Sequence, residues 1–220
     1  MRKEMGTVMY QTYIFDLDGT LLDTLGDLAA STNYALRESD FHERSLEEVR
    51  QFVGNGVRVL IEKAVPAGTS TQLVEQTLST FREHYLAHGL DTTCPYEGVR
   101  EMLESLKREG CRIAVVSNKF YAATQELCQH FFADLVEVAI GEREDIRRKP
   151  APDTVVEALR QLGVSKDNAV YVGDSEVDIA TAKNAGIPCI SVLWGFRDKD
   201  FLLAHGAKTF VQHPEELLSL

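Results

Sequence analysis

Tyr13-Ile14-Phe15-Asp16-Leu17-Asp18-Gly19-Thr20-Leu21-Leu22-Asp23 is the stretch that decides the fold. It opens with three aromatic or β-branched residues in succession. That is the pattern of a strand covered on both faces, as in a parallel sheet. The apolar run stops at Asp16, and Asp18 and Gly19 follow. Carboxylates at the end of a buried strand are costly unless they are paired or bound to a cation. In open α/β sheets the carboxyl ends of the strands are also where ligands sit. Asp16 and Asp18 are therefore expected to form a site, with partners supplied by the rest of the chain.

Two later apolar runs end in the same way. Ile113-Ala114-Val115-Val116 leads into Ser117-Asn118, and Ala169-Val170-Tyr171-Val172 leads into Gly173-Asp174-Ser175, with Asp178 one helical turn beyond Asp174. Lys149-Pro150-Ala151-Pro152 lies between them and reads as a stiff, extended run. Strand patterns at 112–116, 135–140, 169–172, 187–193 and 209–211 alternate with helical patterns at 97–109, 121–132, 153–162, 176–185 and 201–205. Such alternation implies a parallel sheet with helices on both faces.

Between Asp23 and Asp91 the period changes. Leu25, Leu28, Ala29, Thr32 and Leu36 recur at helical spacing. Ser45 with Glu48 makes a capping box at the start of a second helix. A third helix follows Gly54-Asn55-Gly56 through Val57, Leu60, Ile61 and Ala64. A fourth covers 71–88, with Leu73, Gln76, Thr77, Phe81 and Tyr85 on one face. No strand is expected in this segment. The expected fold class is α/β: a doubly wound parallel-sheet core, residues 1–22 and 93–220, with an inserted all-helical domain, residues 23–92. The crossings near Asp23-Thr24 and 92–95 are the expected hinges.

The 220 residues carry a formal net charge of −11, which speaks against nucleic acid and against an anionic membrane surface as partners. Cys94, Cys111, Cys128 and Cys189 show no Cys-x-x-Cys spacing, so neither a zinc site nor a redox pair is expected. Cys111 and Cys189 read as buried thiols, and a cytoplasmic, reducing location fits. Met1–Gly6 lacks the apolar core of a signal peptide, and no run is long enough to span a bilayer.

Asp16-x-Asp18-Gly19-Thr20, Ser117-Asn118, Lys149-Pro150 and Gly173-Asp174-Ser175-x-x-Asp178 occur in this order. Together they resemble the four motifs of the haloacid dehalogenase-like (HAD) hydrolases, a superfamily dominated by phosphatases. The match spans nearly the whole chain. The resemblance implies a Rossmann-like core, a helical cap placed directly after the first motif, and a Mg²⁺-dependent enzyme acting on a small phosphorylated metabolite as a monomer or homodimer. Asp16 is then the nucleophile that forms an aspartyl-phosphate. Asp18 protonates the leaving alkoxide and later deprotonates water, its like-charged neighbour helping it to hold a proton. Ser117, Asn118 and Lys149 face the phosphoryl oxygens, with Lys149 offsetting charge among the carboxylates. Acidic oxygens with no His or Cys suit a hard ion such as Mg²⁺. The resemblance gives its ligands as the Asp16 carboxylate, the Asp18 carbonyl and the Asp174 carboxylate. For Asp178 two readings stand: it acts through water or by orienting Asp174, or it is a helix-N-terminal acid. For Ser117 and Asn118 the alternative is capping of the helix that follows.

Val53-Gly54-Asn55-Gly56 is similar to the Val-Gly-Asn-Gly stretch of bacterial phosphoglycolate phosphatases, a subgroup of the family. Gly54 and Gly56 would let backbone approach the substrate closely, with Asn55 as a hydrogen-bonding tip. An interhelical turn explains the same residues. Arg58 and Lys63 are candidate partners for a substrate carboxylate. The expected reaction is hydrolysis of a phosphate monoester, with 2-phosphoglycolate first among substrates. A pyrophosphatase, a sugar-phosphate phosphatase or a phosphosugar mutase is the alternative within the fold, and a phospho-accepting receiver-type module is the alternative outside it.

Overall fold

The computed structural model describes residues 10–220, so Met1–Gly6 lies outside the described residues. In chain order the elements are β1 (Thr12–Phe15), β2 (Leu22–Asp23), α1 (Leu25–Glu38), α2 (Leu46–Phe52), α3 (Gly56–Ala64), α4 (Thr71–His88), β3 (Cys94–Pro95), α5 (Val99–Arg108) and β4 (Arg112–Phe120). There follow α6 (Tyr121–Phe132), β5 (Val138–Glu142), α7 (Asp153–Leu162), β6 (Ala169–Gly173), α8 (Glu176–Ala185), β7 (Cys189–Val192), α9 (Lys199–Ala204) and β8 (Thr209–Val211), with short 3₁₀ turns at Lys166–Asn168 and Pro214–Ser219.

Six strands form a parallel sheet in the order β5-β4-β1-β6-β7-β8. Successive side chains of β1 go to opposite faces. Tyr13 and Phe15 pack with Val99, Met102 and Leu106 of α5 and Leu127 and Phe132 of α6. Ile14 packs on the other face with Val155 and Ala158 of α7 and Ala182 of α8. Both faces are covered, which is why β1 is continuously apolar. The chain leaves β1 for β4 on one side and later returns to β6 on the other, so strand order reverses at β1. That crevice is the ligand position in doubly wound sheets.

Helices α1–α4 lie between β2 and β3 and share a cluster built from Leu36, Val49, Leu60, Ile61, Leu78 and Phe81. Ala123 and Phe196 of the sheet domain join that cluster, so the helical insert rests on the core. The Ser45–Glu48 capping box is present at α2. On α4 the buried stripe is Val74, Thr77, Leu78, Phe81 and Tyr85, whereas Gln76 is exposed. The expected face was thus turned slightly, because packing on α1 and α3 takes the apolar Val74 and Leu78 inward.

Several edges also differ from expectation. β5 begins at Val138 because Leu135 and Val136 close α6, both bonding the Phe132 carbonyl at 2.9 Å. β7 begins at Cys189 because Ile187 finishes α8 through the Ala182 carbonyl at 3.1 Å. Leu22–Asp23 and Cys94–Pro95 pair as a short antiparallel ribbon at the crossings, where no strand was expected. Two residues are too few to show alternation. Beside that ribbon, Asp27 accepts from the backbone and hydroxyls of Thr92 and Thr93, with contacts of 2.6 to 3.1 Å. Burial opposes the charge on Asp27, but these bonds outweigh it and hold its carboxyl below the ordinary value. Of the thiols, Cys111 and Cys128 are buried, Cys189 is partly so and Cys94 is exposed. Among the described residues no helix is long and apolar enough to cross a membrane.

Candidate active site

Three strand ends meet at the crevice. Asp16 follows β1 and is held by its own N–H on the Val172 carbonyl of β6 at 2.9 Å. Its Oδ1 accepts the Leu17 N–H at 2.7 Å and lies 2.9 Å from Lys149 Nζ. The Lys149 ammonium also donates to Asp178 Oδ1 at 2.8 Å and to the Tyr171 hydroxyl at 3.0 Å. Tyr171 in turn donates to Asp178 Oδ1 at 2.9 Å, while Ser175 N–H and Oγ fill Asp178 Oδ2 at 3.0 and 2.6 Å. Asp178 is therefore both the capping acid of α8 and the anchor of Lys149. Asp174 Oδ2 accepts the Phe196 N–H at 2.7 Å. Lys149 sits in the turn before α7, not in an extended run: the Ala151 N–H closes back on the Arg148 carbonyl at 3.1 Å.

A second charge pair stands beside the first. Asp18 Oδ1 accepts Lys119 Nζ at 2.8 Å and Thr24 Oγ1 at 2.6 Å. Among the described residues no protein hydrogen bond falls on Oδ2, which leaves that oxygen available to a substrate or a water. The Lys119 ammonium is buried and lies 4.5 Å from the centroid of the Tyr85 ring, on α4 of the insert. The neighbour of Asp18 is thus a cation, where like-charge repulsion was expected.

Burial and the charges of Asp178 and Asp174 push the Asp16 carboxyl well above its ordinary range, against the opposing pull of Lys149. Burial and the charge of Asp178 push Asp174 up to about 7. Asp178 goes the other way: burial opposes its ionisation, yet Lys149, Ser175 and Tyr171 hold it below the ordinary value. For Lys149 and Lys119 burial likewise opposes charge, and the facing carboxylates keep both ammonium groups above the usual lysine value. Asp16, Asp174 and Asp178 bring carboxylate oxygens within 4.8 Å of one another, all buried. Lys149 pairs with two of the three carboxylates, so full ionisation of the cluster would leave an excess of negative charge, which a divalent cation would offset. An all-oxygen donor set matches Mg²⁺ chemistry.

The cavity over these groups is lined by Asp16, Asp18, Ser117, Asn118, Lys119 and Asp174 from the core and by Leu28, Val53, Gly54, Gly56, Val57 and Leu60 from the insert. Ser117 and Asn118 lie within β4 and do not cap α6, whose start has no side-chain cap. Asn118 Nδ2 donates to the Gly54 carbonyl at 3.2 Å and to the Lys149 carbonyl at 3.0 Å, so it ties the insert loop to the core. Its Oδ1 is buried without a protein partner. Gly54 and Gly56 have φ of 117° and 84°, conformations that favour glycine. Asn55 does not line the cavity, so the hydrogen-bonding tip expected there is not part of its wall. Arg58 forks onto Glu75, and Lys63 is exposed; neither faces the cavity.

A family model for haloacid dehalogenase-like hydrolases matches residues 13–192. The chain belongs to the haloacid dehalogenase-like hydrolases. Among relatives of this hydrolase, a phosphoglycolate phosphatase of Cereibacter sphaeroides is 37% identical over 84% of this chain and 85% of that one. One from Xanthomonas campestris pv. campestris is 34% identical over 93% of both. A solved structure from Lactobacillus delbrueckii subsp. bulgaricus superposes with a TM-score of 0.91 at 36% identity, covering 96% of this chain and 97% of that one. A predicted phosphoglycolate phosphatase from Haemophilus somnus gives 0.89 at 27% identity, covering 97% and 98%.

Two cavity-lining residues of this HAD-like hydrolase, Lys119 and Arg197, escape a reading by motif. Lys119 directly follows Ser117-Asn118, so its proximity was visible. Its direction was not, because β4 shifts register between Val116 and Phe120. Arg197 lies beyond the last motif and offers no spacing signal.

Proposed function

We propose that this chain is a Mg²⁺-dependent phosphatase that hydrolyses 2-phosphoglycolate through an aspartyl-phosphate on Asp16. The observation that carries the reading is the pair of carboxylates two residues apart, each bonded to a buried lysine of its own. An Asp16 oxygen attacks phosphorus, the ester P–O bond breaks, and Asp18 gives its proton to the leaving alkoxide. Asp18 then takes a proton from water, whose oxygen displaces Asp16 from phosphorus and frees inorganic phosphate. Lys119 fixes Asp18 through Oδ1, so Oδ2 moves the proton. Lys149 holds Asp16 in place and Ser117 offers its hydroxyl to a phosphoryl oxygen, whereas both amide N–H groups of Asn118 are spent on the Gly54 and Lys149 carbonyls, so Asn118 positions the insert loop over the site. Asp16, the Asp18 carbonyl and Asp174 would hold Mg²⁺, which would supply positive charge to keep Asp16 ionised and to offset the charge of the phosphoryl group.

Residues 1–22 and 93–220 form the catalytic core on this reading and 23–92 the cap, joined at the β2–β3 ribbon. Cap closure excludes water and places the insert wall against the leaving group. The relatives named as phosphoglycolate phosphatases support the substrate. A small cytoplasmic metabolite fits an acidic chain without a membrane-crossing helix among its described residues. The deciding experiment is turnover of a panel of phosphate esters with Mg²⁺, repeated in excess chelator. Phosphoglycolate should give the highest kcat/KM, and chelation should silence it. A tenfold or larger preference for pyrophosphate or a hexose phosphate would overturn the substrate.

A further inference from the structure

Phosphoglycolate carries a carboxylate as well as a phosphoryl group, and the two need separate cationic partners. Lys149 is committed to Asp16 and Asp178. Lys119 is committed to Asp18 and lies against the Tyr85 ring. Among the described residues one further cationic side chain, Arg197, lines the cavity, on the loop after β7. Its Nη1 donates to the Arg50 carbonyl at 2.9 Å and its Nη2 to the Val53 carbonyl at 2.8 Å, both at the end of α2. Its Nε donates to Glu176 Oε2 at 3.3 Å. A guanidinium has five N–H groups, so two remain after these three bonds. A Cβ on Gly54 would stand 3.8 Å from Nη2, so glycine there keeps the space beside the guanidinium free of side-chain atoms.

We propose that Arg197 is the residue that recognises the substrate carboxylate, an inference that rests on the phosphoglycolate reading. Its planar fork matches a carboxylate, and it is held rigid before the ligand arrives. Two of its three anchors are carbonyls of the insert. Arg50 reciprocates with Nη2 on the Gly195 carbonyl at 3.4 Å. The fork is therefore aimed only while the insert rests on the core, which links recognition of the leaving group to cap closure. Arg58 and Lys63 have no such position.

The test is the ratio of kcat/KM for phosphoglycolate to that for ethyl phosphate, which lacks the carboxylate, in wild type, Arg197→Met and Arg197→Lys. Loosening of the cap lowers both substrates, whereas loss of the carboxylate partner lowers one. Arg197→Met should reduce the ratio about thirtyfold, mostly through KM, the size expected for a charge-assisted hydrogen bond. Arg197→Lys keeps the charge without the fork and should reduce it about threefold or more. It carries the test alone if the Met variant does not fold, and an unchanged ratio in it overturns the inference. A wild type with no preference for phosphoglycolate overturns the substrate reading and this inference together. A wild-type preference that survives in Arg197→Met overturns this inference alone.

Discussion

The two walls of the cavity are built on opposite principles. On the core wall Asp16 and Asp18 each have a lysine within 2.9 Å, and both ammonium groups are buried. On the insert wall stand Leu28, Val53, Val57, Leu60 and two glycines, with no charged side chain. The core groups sit at the ends of hydrogen-bonded strands, where a displacement would cost several ladder bonds. The insert groups sit on helices joined to the core by a two-residue ribbon and a few side-chain bonds. Fixed charges suit chemistry on a phosphoryl group, which is the same in every ester. An apolar, glycine-containing wall suits selection among leaving groups, which differ.

The sharpest break in that contrast comes from Asp16→Asn. On the proposed mechanism it removes the nucleophile, and kcat should fall about ten-thousandfold for every ester while the circular dichroism spectrum stays native. A loss of no more than tenfold would show that Asp16 is not the nucleophile. Lys149→Met probes the same wall through stability. It leaves Asp16 and Asp178 buried without their cation, and urea unfolding should show a loss of about 3–5 kcal/mol. Adding Asp178→Asn should recover part of that loss, and no recovery would mean that the pair is not coupled.

Gly56→Val moves to the other wall. A Cβ there meets the Asn118 carbonyl at 3.2 Å on a backbone with φ of 84°. The expected result is a roughly hundredfold loss in kcat/KM for phosphoglycolate and a much smaller one for an aryl phosphate, whose leaving group needs less from the insert. Equal losses in a folded variant would erase the division of labour between the walls.

Metal binding gives a smaller signal with a defined sign. The folded-state pKa of Asp174 is about 7, above its ordinary 3.8. The stability contributed by that proton is complete below about pH 4 and is lost as pH rises through about 7. Mg²⁺ competes with the proton, so its stabilisation should be larger at pH 8 than at pH 5.5. A thirtyfold excess over Kd gives about 2 kcal/mol, or roughly 4–8 °C in Tm at pH 8. A gain that is larger at pH 5.5 would remove Asp174 from the metal site. The smallest effect belongs to Arg58→Ala. Arg58 is paired with exposed Glu75 away from the cavity, and kcat/KM for phosphoglycolate should stay within about twofold. A larger loss in KM would bring Arg58 back as a substrate partner.

The sheet was legible because burial on two faces writes an unbroken apolar run, as in Tyr13–Phe15, and each run stops where the strand meets the crevice. The helical insert was legible from its 3.6-residue period and its caps, Ser45 with Glu48 among them. Edges were less so. Leu135 and Ile187 look like strand residues, but each serves to close the preceding helix.

Residue types and their order along the chain are local properties. From them alone came the parallel sheet, the insert and the set of acids, hydroxyl, amide and lysine that ends up around one crevice. Which group faces which is a long-range property, and only the tertiary structure decided it. Lys119 reaches Asp18 across 101 positions, Arg197 reaches Val53 across 144, and Asn118 spans 64 to Gly54. Arg58 and Lys63 sat beside the promising glycine loop in sequence, yet the helix carries them away from the cavity. A helix turns its side chains through 100° per residue, so nearness in sequence does not fix direction, and direction decides what a charge can touch.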